Sequence, residues 1–354
     1  MRVHQYGLRT GKKVVFAVAP LMVLMLLCEI GLRLAGHGVS GTIDGRATHF
    51  SEEVYPSTYD RSLGYIPQPN SSHRHLWGKT ITLGADGIRS NGRRRRLGDL
   101  PILAVGDSFT FGDEVGDNET WPAHLEILLG RTVLNAGVFG YGLDQAVLRA
   151  EELVTSYSPS VLIVSFTPAD IARCEMAVYY SYKPYFEVQF KRLVLRRDHM
   201  PEALPAASPF KRVLRHSVLA HSLLSRVAPR WWLQTFREDR VHRQGLQVAC
   251  LLMDRIARLA QKERLKVLVV GQPEAPIVLQ YPGQDTLVEK VLTCSEYRGL
   301  VSLNLVREYR LLLAADPEIQ RRFFNAEGVH MTDEGNGWVA GELERILREY
   351  FFDG

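Results

Sequence analysis

Metal-ligand spacings are missing from this chain. Its four cysteines, Cys28, Cys174, Cys250 and Cys294, make no C-x-x-C pair and have no histidine cluster nearby, which argues against a zinc site. Nor does spacing assign any pair of them, so no disulfide is predicted. Strong net charge is also lacking, since +4 over 354 residues does not mark a nucleic-acid binder. The chain shows no internal repeat, and with 46% apolar and 23% charged residues it excludes disorder over most of its length. What basic excess exists is local. Between Lys183 and Arg243 there are 13 Lys/Arg against 5 Asp/Glu, which leaves the remainder net acidic.

One apolar run stands out. Arg2, Arg9, Lys12 and Lys13 precede fifteen apolar or small residues, Val14 to Cys28, and the pattern continues with interruptions to Ala35. A hydrocarbon core about 30 Å thick needs roughly 20 helical residues, so a span must include Glu29 and Arg33, one helical turn apart and able to reach an outer interface. The basic N-terminus, residues 1–13, then faces the cytoplasm and residues 14–35 form a transmembrane signal anchor. A cleaved signal peptide fits less well, because Arg33 occupies the −3 position of the small-residue site at Ala35. The expected location is therefore single-pass in the membrane, with the main domain periplasmic or extracellular.

Residues 36–99 read as a linker and irregular extension, Gly/Ser/Thr-rich at first, with Leu63 to Pro69 as edge structure and a four-arginine loop at Arg93–Arg96. From residue 100 to 354, short apolar runs alternate with amphipathic stretches, the pattern of a parallel sheet with crossover helices. Candidate strands are Ile102–Val105, Thr132–Leu134, Val161–Phe166, Leu265–Val270 and Val301–Leu305. Trp121–Leu129, Gln145–Val154 and Leu246–Ala260 carry apolar residues at helical spacing. This predicts an α/β fold of three layers around a parallel five-stranded sheet, interrupted by a basic helical insert at about 173–243. The insert's arginines alternate with leucines and with Trp231, Trp232 and Phe236, which suits either an anionic surface or a solvated subdomain.

In such sheets ligands bind at the carboxyl ends of the strands. Directly after the first strand comes Gly106-Asp107-Ser108-Phe109-Thr110-Phe111-Gly112, and after the second Asn135-Ala136-Gly137-Val138-Phe139-Gly140. Near the C-terminus, Glu327-Gly328-Val329-His330-Met331-Thr332-Asp333 precedes the last amphipathic helix. A serine hydroxyl is a poor nucleophile until a base takes its proton, and the base works best when a carboxylate fixes its tautomer. Ser108, His330 and Glu327 supply those residue types, with Asp333 as the alternative carboxylate.

Taken together and in this order, the three segments resemble the GDSL-type, or SGNH, hydrolase superfamily, and the N-terminal anchor resembles its membrane-tethered bacterial members. The resemblance covers roughly Pro101 to the C-terminus apart from the insert. It implies a flavodoxin-like three-layer fold and ester hydrolysis, with Ser108 as nucleophile, His330 as base and Glu327 in place of the usual aspartate. It further implies an oxyanion hole from the backbone N–H groups of Ser108 and Gly140. No metal or organic cofactor is implied.

One position departs from the pattern. Where the family has Gly-x-Asn-Asp, this chain reads Thr167-Pro168-Ala169-Asp170, and Ala169 cannot donate a hydrogen bond. Losing one oxyanion donor costs about 10²–10³ in turnover. The expected substrate is an acylated glycan or lipid outside the cytoplasm. O-acyl transfer in the same site and a non-catalytic binding or assembly role are the alternatives.

Overall fold

The computed structural model describes residues 19–20, 22–35, 42–43, 46–47, 55–93, 100–203, 210, 214, 217–228, 238–274, 284–326 and 329–352. The apolar runs form one parallel sheet: β1 (Ile102–Val105), β2 (Val133–Asn135), β3 (Val161–Phe166), β4 (Lys266–Gly271) and β5 (Val301–Asn304). Their spatial order is 2-1-3-4-5. Leu103 of β1 pairs with Leu134 and Leu162, and Leu268 of β4 with Ile163 and Val301. All residues of β1, β2 and β3 are buried, as expected of strands covered on both faces, and this is why they read as continuous rather than alternating apolar runs.

The principal helices are α1 (Trp121–Leu129), α2 (Leu143–Tyr157), α3 (Gly245–Glu263), α4 (Gln284–Glu296), α5 (Leu305–Ala315) and α6 (Asp333–Leu347). Thr120 caps α1 by accepting from the Ala123 N–H. The Asn336 side chain then ties α6 to α1 through the Trp121 N–H at 3.0 Å. In α2, Leu143, Val147, Ala150 and Val154 are buried at helical spacing, and this face carries the helix onto the sheet. The strand order reverses between β1 and β3, so the crevice at their carboxyl ends is the topological switch point.

Gly64–Pro67 forms a two-stranded antiparallel pair with Ser57–Asp60. Two regions differ from expectation. The first part of the insert, expected to be helical, forms antiparallel pairs instead: Met176–Tyr179 with Ser181–Tyr182, and Tyr185–Gln189 with Arg192–Arg196. Phe190 and Lys191 make the second turn with φ of 50° and 62°, a turn usually signalled by Asn or Gly, so the sequence gives no hairpin cue. Finally, Cys250 and Cys294 form a disulfide between α3 and α4, overturning the expectation of none. Neither lies in a motif, and only the packing of these two helices brings them together.

The chain divides into two units, with residues 55–203 and 237–354 in the body just described. The other unit comprises residues 1–54 and 204–236. Its described part holds a helix over 22–34, the short antiparallel pair Thr42–Ile43 and Arg46–Ala47, and the helix Val218–Val227. Among the described residues no helix is long and apolar enough to cross a membrane. Residues 14–18 and Pro20's successor at position 21, which belong to the expected anchor, lie outside the described residues, as do positions 94–96 of the arginine run.

Candidate active site

Ser108 opens a one-turn helix, Ser108–Phe111, immediately beyond β1. Asp107 caps it, its side chain accepting from the Phe109 N–H at 2.9 Å. The chain then folds back, with the N–H groups of Gly112 and Asp113 both donating to the Ser108 carbonyl. That reversal brings Asp113 and Glu114 to the histidine segment. Glu114 adopts φ +68°, a conformation that is sparse for a residue with a side chain and that clusters at functional sites.

His330 Nε2 lies 3.1 Å from Ser108 Oγ. Its Nδ1 lies 3.2 Å from Glu114 Oε1, and the Asp113 carboxylate stands 3.7 Å from Nε2. The structure thus brings together two of the three expected groups, Ser108 and His330, with a carboxylate the sequence reading missed. Glu327, the expected third member, lies outside the described residues. Asp333, the alternative, accepts from His124 Nε2 instead, at 2.7 Å, and is the first residue of α6, which Thr332 caps.

The electrostatics suit a proton acceptor. Burial opposes charge on His330, but the Glu114 hydrogen bond and the Asp113 and Glu114 charges outweigh it, leaving its pKa raised. Asp113 is buried, and desolvation pushes its carboxyl up to about 6 despite the opposing effects of His330 and of the Tyr55 hydroxyl, which donates to it at 2.5 Å. The loop that carries both acids is pinned by Arg89, whose side chain is fully buried. Its Nη1 donates to the Phe111 carbonyl at 2.7 Å, its Nη2 to the Val115 carbonyl at 2.6 Å, and it pairs with Asp117.

The second segment serves the nucleophile by close approach. A Cβ on Gly137 would meet the Phe111 nitrogen at 2.3 Å, so only glycine lets this turn pass against the Ser108 helix. Gly140 has φ +69°, with the Tyr180 ring and the Tyr65 hydroxyl against it. The N–H groups of Ser108 and Gly140 donate to no acceptor among the described residues. Backbone donors of that kind can face a developing oxyanion.

After β3, Ala169 lies in the short helix Pro168–Arg173 and brings no side-chain donor. Thr167, two residues before it, carries a buried hydroxyl with no hydrogen-bond partner among the described residues. Burial raises the nearby Glu274 carboxyl to about 7. Asp170 accepts from the Thr167 N–H at 2.8 Å and from Arg173 at 2.6 Å. Arg173 also bonds the Tyr141 carbonyl and Asp107, which ties the loops after β1, β2 and β3 together. As the last residue of an ordinary-looking helix, Arg173 gave no signal in the sequence.

No family model matches the chain, and no curated protein does. Solved structures do resemble it. TesA covers 70% of this chain and 98% of its own, at 14% identity and a TM-score of 0.42. A GDSL-like lipase from Bacteroides thetaiotaomicron covers 71% and 86%, at 13% and 0.36, and an acetylxylan esterase from Geobacillus stearothermophilus, determined as a catalytic mutant, covers 73% and 97%, at 13% and 0.40. The chain is similar to GDSL-type lipases and esterases. The chemistry of the site rests on the geometry of this chain's own residues.

Proposed function

We propose that this chain is a serine hydrolase acting on an oxygen ester, an acyl group carried by a glycan or lipid outside the cytoplasm. The observation that carries this reading is the contact series Ser108 Oγ to His330 Nε2 at 3.1 Å and His330 Nδ1 to Glu114 at 3.2 Å, placed at the switch point of the sheet. Ser108 Oγ attacks the ester carbonyl while its proton passes to Nε2, and Glu114 holds the Nδ1 proton. The N–H groups of Ser108 and Gly140 receive the oxyanion. Collapse of the tetrahedral intermediate breaks the bond to the alcohol, which leaves with the proton from Nε2. Water then attacks the acyl-enzyme by the same route in reverse, returning the proton to Ser108 and releasing the acid.

Membrane attachment and an exported body complete the proposal. The basic residues before the apolar stretch support the orientation, and the Cys250–Cys294 disulfide supports an oxidising compartment. One observation favours a second reading: Ala169 removes a side-chain donor from the oxyanion region, as a binding or assembly protein would tolerate. Labelling of the purified protein by a serine-reactive fluorophosphonate, compared with Ser108→Ala, separates the two. Labelling that depends on Ser108 supports the hydrolase, and equal labelling of both proteins removes Ser108 from the mechanism.

A further inference from the structure

Glu29 is the single acidic residue in the apolar stretch 14–35, and its place there needs a reason. The structure supplies one. Glu29 Oε1 accepts from Arg33 Nε at 2.7 Å and from the Val218 N–H at 3.0 Å, while Oε2 accepts from Ser217 Oγ at 2.8 Å and the Leu219 N–H at 2.9 Å. The carboxylate thus takes up the orphan donors at the start of the helix Val218–Val227, far away in sequence, and stands at the positive end of that helix's dipole. A carboxylate in an apolar segment is costly unless fully paired, and here four donors pair it.

The two helices held by this clamp are not closed against each other. Between them lies a groove of about 930 Å³, lined by Met22, Met25, Leu26, Leu219, Leu223 and Leu224. Outside it, Leu24, Leu27, Leu34 and Val227 are also exposed, more apolar surface than a water-facing helix pair sustains. Two features of the sequence identify the occupant. Glu29 is sixteen residues beyond Lys13, about 24 Å along a helix, so the clamp falls just inside the outer boundary of a core about 30 Å thick. Lys211, Arg212, Arg215 and Arg230 flank the second helix in sequence and Arg226 lies in its last turn, a basic set that complements anionic headgroups, while Leu223 and Val227 share one exposed stripe.

The geometry points to a second membrane contact: the helix Val218–Val227 lies in the outer leaflet, clamped to the N-terminal helix by Glu29, with phospholipid acyl chains filling the groove between them. This rests on the membrane attachment proposed above. The full chain is reconstituted into phosphatidylethanolamine–phosphatidylglycerol vesicles whose acyl chains carry a diazirine, irradiated, and its adducts are mapped on tryptic peptides. Adducts are expected both in the N-terminal helix and in the peptide His216–Arg226. Glu29→Ala should lower the yield in His216–Arg226 at least fivefold while N-terminal adducts and fluorophosphonate labelling of Ser108 persist, the latter showing an intact body. Wild-type adducts confined to the N-terminal helix, cross-links from His216–Arg226 to a second chain, or a yield indifferent to Glu29→Ala would each overturn the clamp. Adducts in neither segment would instead overturn membrane attachment itself.

Discussion

Glu114 is the residue on which the chemistry of the site turns. If its carboxylate orients His330, Glu114→Gln should lower kcat by about 10²-fold with little change in KM, because the charge acts mainly as the imidazolium forms. Glu327→Gln should then have a much smaller effect; the reverse ranking would return the third place to Glu327. The pH profile offers an independent measure. His330 must be neutral to accept the Ser108 proton, and its pKa is raised by Glu114 and Asp113, so kcat/KM should rise with pH through an apparent pKa above 6.5. Removing the Glu114 charge weakens the imidazolium, so that limb should move to lower pH. Asp113, itself near 6, titrates with the histidine, and the limb belongs to the pair rather than to one group. Ala169→Asn tests the missing donor: turnover should rise by up to about 10²-fold at constant KM, and the gain should vanish with Ser108→Ala. No gain would mean that backbone N–H groups already suffice.

Among the elements, the loop from Phe111 to Asp117 depends on Arg89, whose guanidinium satisfies several backbone carbonyls at once. Arg89→Met strips the Gly112 and Val115 carbonyls of their donor and leaves Asp117 with the Thr82 N–H in place of its buried ion pair, and should cost about 3–5 kcal/mol in denaturant unfolding. Arg89→Lys should keep more stability yet lower kcat, since a point charge cannot hold the loop that presents Glu114. Cutting the Cys250–Cys294 link with a double Cys→Ala change should lower stability by about 2–4 kcal/mol without altering kcat, because it joins α3 and α4 away from the strand ends. These two features also mark where the sequence was opaque. β1 and β3 and α1 were legible to the residue, since burial on both faces leaves unbroken apolar runs and a capped helix declares its start. Ser108 and His330 were legible because each sits beside a predicted element end. Arg89, Arg173, Glu114 and the cysteine pair were not, because their roles arise from contacts between distant segments that no local spacing encodes. The hairpins at 176–196 were misread as helical since Tyr180, Phe190 and Lys191 turn the chain with positive φ in place of glycine or asparagine.

At the scale of the whole molecule, the described groups of the candidate site belong to one unit. Ser108, Asp113, Glu114, Gly140 and His330, with Tyr55 behind Asp113, fall within residues 55–203 and 237–354. Residues 1–35 belong to the other unit. Attachment and catalysis should therefore separate. The full chain should resist extraction from membranes by high salt and yield only to detergent, because burial of an apolar helix is not screened by ions. A variant lacking Met1–Ala35 should lose that resistance, yet hydrolyse a small soluble acyl ester with kcat within about twofold of the full chain. On an acyl lipid presented in vesicles the same variant should fall well behind, since it must find the surface at each turnover rather than reside there. Equal loss on both substrates would show that the N-terminal segment supports the fold of the body, and release of the intact chain by salt alone would refute the anchor.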